Sequence, residues 1–222
     1  MNAESRPAEA SPEREWWLRT LGIFLSPGPV FASLRDESQE QREARQEPVL
    51  ALVILAGIAG VLLAPSTGRL LDQDLVDSSL AVLAVLVFFT GGIYGVATYW
   101  IGGAALFVGL KGSGSTGSYL RARHILAFAA APLVLGMVFV WPIRLAVYGS
   151  DSFRSGGSDS GAGVTVFQVL LGLFALWAVA LLVYGISVIE RWTFVRALIS
   201  LGLMLLGIVI VTVPFLIPLS SR

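Results

Sequence analysis

The chain has 222 residues, 55% hydrophobic and only 14% charged, against roughly 25% charged in a soluble domain. Net charge is zero and cysteine is absent, which excludes disulfides, thiol catalysis and thiolate metal sites and leaves no basic field for nucleic acid. Charge crowds into the first 47 residues and a few short connectors, so long stretches carry none, the pattern of an integral membrane protein.

Residues 1–15 (MNAESRPAEASPERE) are polar and Pro-, Ala- and Glu-rich. They are expected to form a disordered tail, because they cannot bury enough apolar surface to order themselves. No apolar core follows an early basic patch, so a signal peptide is not expected there. Residues 16–47 read as a cytoplasmic amphipathic segment. In its first part, WWLRTLGIFL, helical spacing puts Trp17, Leu21, Phe24 and Leu25 on one side, with Arg14, Glu15 and Arg19 away from it. The run is too short to span a bilayer, and aromatics opposite arginines suit a helix lying in the headgroup plane. Trp16, Trp17, Leu21 and Phe24 are therefore membrane-interface candidates. The alternative is a short helix docked on the spans by the same aromatics. Ser26-Pro27-Gly28-Pro29 breaks this helix. A second short helix is expected over 30–46, its remainder RDESQEQREAR forming a solvated mixed-charge face.

Five transmembrane spans follow within 48–219, and the fold class is an all-α polytopic membrane bundle. Pro48 opens the first, at 49–64, where a first-turn proline removes no intrahelical bond. In the next connector Asp72, Asp74 and Asp77 match no calcium-loop spacing. The second apolar run, 80–110, would make a helix about 46 Å long, too long for one bilayer core of about 30 Å and too short for two crossings. Residues 80–100 are read as crossing and 101–110 as running on along or beyond the headgroups. Tyr99 and Trp100 are interface-belt candidates. Gly91 and Gly95 have the spacing that lets two helix backbones approach closely. The third, fourth and fifth spans are read at 124–148, 164–189 and 193–219, with Pro132 as a packing candidate in the third. Pro214 and Pro218 favour bending or fraying near the end of the fifth. No internal repeat is found, and five spans do not divide into the inverted halves of a standard secondary transporter.

Orientation follows the Lys and Arg count near the spans. The N-terminal region, the loop around Lys111, Arg121 and Arg123, and the turn at Arg191 and Arg196 together carry eleven, against four on the other side. The N-terminus is therefore expected in the cytoplasm and the C-terminus outside. Fourteen of the fifteen cationic residues are arginine, and Ala and Gly abound, which points to a GC-rich prokaryotic genome and so to a prokaryotic cell membrane.

Candidate chemistry is sparse. His124, the single histidine, follows Arg121 and Arg123 at the mouth of the third span but has no partner acid at span depth, so it reads as an interfacial histidine without a catalytic task. Arg144 sits about one turn inside the far end of that span. An intramembrane arginine is a functional candidate by default, yet one so close to the boundary can snorkel to the headgroups. The loop GSGSTG after Lys111 follows no strand, so a phosphate cradle is not expected. No catalytic, cofactor-binding or metal-binding residue is assigned, no cofactor is expected, and the chain is not expected to be an enzyme. Arg123, His124 and Arg144 remain weak functional candidates.

Several residues resemble a known family. Ser26-Pro27 followed by Phe31 and Leu34, with Pro48 opening a span, is similar to the start of prokaryotic members of the Yip family. These are five-span proteins related to Rab-GTPase-interacting proteins of Golgi and endoplasmic reticulum. The stretch KGS…YLRARHILAFAAAP, with Arg123, Ala127, Ala129 and Pro132, also looks like that family, as do Trp177, Gly185-Ile186 and Ala197. The resemblance covers about 16–218 and implies a cytoplasmic N-terminus and an external C-terminus. The Asp-Leu-Tyr-Gly-Pro motif of eukaryotic trafficking members is not found, so Rab binding does not carry over, and the prokaryotic branch implies no assigned activity. The expected function is membrane organisation through lipid or protein contacts. The expected partners are membrane lipids and a membrane-protein partner or a second copy of the chain, with no nucleic acid. The alternative is a small transporter or channel subunit.

Overall fold

The computed structural model describes residues 12–64, 67, 80–154 and 161–220. The expected tail over 1–11 and the carboxylates Asp72, Asp74 and Asp77 lie outside the described residues. The helices in chain order are α1 (Pro12–Gly22), α2 (Pro27–Ser33), α3 (Gln39–Ala44), α4 (Gln46–Leu63), α5 (Leu80–Ala97), α6 (Gly103–Gly112), α7 (Tyr119–Ala129), α8 (Ala131–Leu135), α9 (Trp141–Tyr148), α10 (Ala162–Glu190) and α11 (Phe194–Ser220). No strand occurs among the described residues. Five helical stretches are long and apolar enough to cross a membrane: Gln39–Leu63, Ala81–Gly112, Tyr119–Phe153, Ala162–Glu190 and Phe194–Thr212.

Two of the crossings are interrupted rather than broken. α5 passes into α6 through a π-helical turn, Thr98–Gly102. The third crossing is built from α7, α8, a second π-turn at Gly136–Val140, and α9. Pro132 and Pro142 stand in the first turns of α8 and α9, where their missing N–H groups interrupt the hydrogen-bond ladder. Pro132 is wholly buried. The last helix instead continues through Pro214 and Pro218 to Ser220, where bending or fraying is the expectation from sequence.

Helix contacts explain the glycines. A Cβ on Gly57 of α4 would collide with the backbones of Gly91 and Gly95 on α5, and one on Gly95 would strike the carbonyl of Val53. Lipid tails are as apolar as leucine, so close backbone approach supplies van der Waals contact that burial alone cannot. α6, read from sequence as running on along or beyond the headgroups, lies against other helices of the bundle. It packs between α7 and α11, with Leu106 and Leu110 buried and Gly109 set against the backbone of Ser200. Helix α6 thus continues the second apolar stretch, Ala81–Gly112, as part of the packed bundle.

Three segments meet at one end of the bundle: α1–α3, the loop after α6, and the turn between α10 and α11. Arg35 donates from Nε to the Ile189 carbonyl at 3.0 Å and from Nη2 to the Val188 carbonyl. Ser118 Oγ donates to Glu37 at 2.6 Å, and Arg196 Nη2 donates to the Ser113 carbonyl at 2.7 Å. Had 80–112 folded back as two crossings, the loop at 113–118 would stand at the opposite end.

Candidate functional site

The polar end is built outward from Trp16. Helix α1 starts at Pro12, so residues 12–15, expected in the disordered tail, are its first turn. One face of α1, with Trp16 and Thr20, is buried, as is Ile23 in the turn after it. The Trp16 indole N–H donates to Gln41 Oε1 of α3 at 2.9 Å, and its ring lies 5.9 Å from that of Phe128 on α7. Trp16 is thus 0% exposed, an interior anchor and not a membrane-interface residue. Trp17, one residue on, is 42% exposed, and Leu18, Leu21 and Leu25 also point outward. Phe24 turns inward, edge-on to Trp177 of α10 at 5.9 Å. Successive helical residues stand about 100° apart, so this helix carries two apolar faces, one against protein and one outward.

The segment 30–46 also departs from its sequence reading. It is two short helices, α2 and α3, separated by a loop. Its charged run is not uniformly solvated, because Arg45 is 0% exposed. Arg45 Nη1 donates to the Asp36 carbonyl at 2.9 Å, and its guanidinium lies 5.7 Å from the Trp16 ring. Asp36 accepts from the Ser38 backbone N–H at 2.9 Å. That hydrogen bond, with a second from the Ser38 side chain, holds the carboxyl below the usual carboxylate range.

Helix α7 opens with Ser118 as its cap, whose Oγ accepts from the Arg121 N–H at 3.1 Å. Arg121 pairs with Glu37 at 3.0 Å, and Arg42 reaches the same carboxylate at 3.7 Å. Arg35, Arg45, Arg121 and Arg196 all donate to backbone carbonyls. They tie segments together.

Arg123 is different. It is 9% exposed, and its guanidinium lies 3.8 Å from the Trp100 ring centroid, 4.6 Å from Tyr119 and 4.9 Å from Tyr99. Gly103 gives its stem room, since a Cβ there would strike it. None of the ion pairs among the described residues reaches it, and its Nε has no hydrogen-bond acceptor. His124 is buried beside it, stacked on Tyr99 with 21° between the planes, and its Nδ1 is also unpartnered. Tyr99, expected in the interface belt, is therefore drawn inward by His124 and Arg123, while Trp100 stays half exposed. The structure thus brings Tyr99, Trp100, Arg123 and His124 together. It sets Arg144 apart, at the other end of the third crossing over the Trp141 ring at 4.9 Å.

A family model described as the Yip1 domain matches residues 21–213. The chain belongs to the Yip1 domain family. A comparison with curated proteins found no match, and neither did one with solved structures. The matched region of this Yip1 domain holds α2 through most of α11 and so includes the Arg123 cluster. Sequence reasoning passed over Arg35, Glu37, Gln41 and Arg45, because polar residues in a charged run look solvated. One signal was readable: Tyr119 and Arg123 stand four apart on one helix face.

Proposed function

We propose that this multi-pass integral membrane protein is non-enzymatic and acts in membrane organisation through lipid or protein contacts made at its polar end. One observation carries the reading. Residues 49–63, 81–110, 125–143, 164–189 and 197–212 contain no Asp, Glu, Lys, Arg or His, so the polar groups of the bundle collect at its ends and no ionisable path runs between them. Intramembrane ionisable groups mark the routes of most ion and proton carriers. The outward face of α1, with Trp17, Leu18 and Leu21, and the exposed Leu25 just after it support membrane contact, since Trp and Leu opposite Arg suit the headgroup boundary.

The charge asymmetry supports a cytoplasmic polar end and N-terminus, and the arginine-, alanine- and glycine-rich composition supports a prokaryotic cell. Single cysteines at Ser5, Ser115 and Ser158 test this in intact cells. Only Ser158→Cys should react with an impermeant thiol reagent, and labelling of Ser115→Cys would reverse the orientation. The functional reading is tested in liposomes containing only this protein. The expected result is no protein-dependent flux of protons, potassium or small anions. Flux above protein-free liposomes would establish the transporter or channel reading instead.

A further inference from the structure

A cleft of about 420 Å³ opens at the polar end between the start of α4, the π-turn after α5, and α7, a size within the range of about 300–1,000 Å³ for ligand sites. Its wall is amphipathic. Arg42, Arg123 and His124 line one part, and Leu50, Val53 and Val96 line another. Glu43 also lines it as a carboxylate, accepting from Gln39 at 2.9 Å, and Arg42 reaches Glu37 at 3.7 Å, so Arg123 is the wall's cation without an ion pair among the described residues. Arg42 and Arg123 put two guanidinium groups on that wall. Val53 and Tyr99 also line a second cavity, of about 240 Å³, whose wall is almost wholly apolar and includes Ala130, Leu133 and Ala178. Val53 and Tyr99 thus stand between the two spaces or at their common edge.

The second observation is the state of Arg123. A guanidinium offers five N–H donors in one plane, and aromatic faces attract its charge without accepting those hydrogens as a carboxylate or phosphate does. A buried charge without a counter-ion is costly. The three rings fix its orientation, and the cleft beside it supplies space for an anion.

We propose that this cleft binds one acidic phospholipid, its phosphate accepting from Arg123 and Arg42 and an acyl chain lying along Leu50, Val53 and Val96 towards the apolar cavity. Charge complementarity and the change from basic to apolar wall select an anionic amphiphile over a neutral lipid or a soluble anion. Basic pockets between transmembrane helices take acidic headgroups for the same reason. The proposal rests on the reading that the chain works through lipid contact and names the lipid class and its seat.

The test is native mass spectrometry of the full-length protein released from nanodiscs of defined composition. One copy of phosphatidylglycerol should stay bound, and phosphatidylcholine at equal concentration should be retained about ten-fold less, because it has the same phosphate but brings a quaternary ammonium up to the two arginines. Arg123→Gln should lower phosphatidylglycerol retention by a similar factor, and Arg123→Lys should restore part of it. Val96→Trp fills the apolar wall without touching the arginine, so its loss of the lipid supports the seat even if Arg123→Gln fails to fold. Equal retention of both lipids, or wild-type retention by Val96→Trp, overturns the proposal. Displacement of the lipid by glycerol phosphate alone also overturns it, in favour of a soluble-anion site. Absent retention without solute flux sinks the cleft and spares the proposed function, whereas flux sinks the function itself.

Discussion

The polar end and the seam between α4 and α5 are both closely packed, but by opposite means. At the seam Gly57, Gly91 and Gly95 bring two backbones together with no polar side chain between them. At the polar end large side chains do the work. Trp16, Phe31 and Phe128 are wholly buried there, and arginines and Gln41 link the segments by hydrogen bonds. The difference follows the solvent. Between lipid-facing helices apolar burial gains nothing, and contact area decides. Where the chain meets water, burying an aromatic ring and satisfying its N–H again stabilise. The smaller apolar cluster at the far end, with Leu83, Trp141, Phe153 and Leu171, has no docked N-terminal segment over it.

Truncating the anchor should have the largest effect. Trp16→Ala removes a fully buried indole, at a cost of about 3–5 kcal/mol. The loss should fall on the docking of α1–α3, so hydrogen exchange over 12–46 should rise while the five crossings stay protected. Equal deprotection of α5 would show that the two regions are not separable. The converse substitution is Gly95→Leu. It forces α4 and α5 apart at a cost of about 1–3 kcal/mol or more, read by steric trapping in bicelles, with exchange over 12–46 unchanged. Sites this independent should give additive effects in the double variant.

Much of the bundle was readable because its cause is local. A run of about 20 apolar residues has one stable use in a chain with so few charges, and the spacing of Gly91 and Gly95 carries its own steric meaning. The polar end was less legible, because its causes are tertiary. Trp16 and Trp17 are the same residue type on the same short helix, and nothing local says which faces protein. Arg45 in REARQEP resembles its solvated neighbours until Trp16 covers it. The extension 101–110 reads as surplus length until α11 lies against Gly109. Arg123 stood out only as a cation at a span edge. Its three rings come from the π-turn and from α7, and only folding assembles them.

Smaller effects sharpen the contrast at the connectors. Arg191 closes α10 in the left-handed conformation, with φ of 55°, a position usually held by glycine. Arg191→Gly should raise stability by up to about 1 kcal/mol, seen as a higher midpoint of thermal unfolding in detergent. A fall would mean that the side chain contributes more than the backbone strain costs. The smallest effect concerns Asp36. Its folded carboxyl titrates below its unfolded value, so its stabilisation is present above the ordinary carboxylate range and is lost as pH falls through the lowered value. Exchange of the Ser38 amide should quicken on acidification relative to its neighbours, and Asp36→Asn should abolish that dependence.

Helix α1 turns Trp16 into the protein and Trp17 outward, and we propose that Trp17 meets the lipid boundary. Emission wavelength alone does not separate these environments, since both shield an indole from water. Quenching by brominated lipid does. Two proteins are needed, one retaining only Trp16 and one only Trp17, with the other tryptophans replaced by Phe, in vesicles of brominated and unbrominated phospholipid. The proposed placement predicts strong quenching of Trp17, and the burial of Trp16 predicts its weak quenching, with blue-shifted emission in both vesicles. Quenching of Trp16 as strong as that of Trp17, or red-shifted emission from Trp16, would contradict the docked polar end.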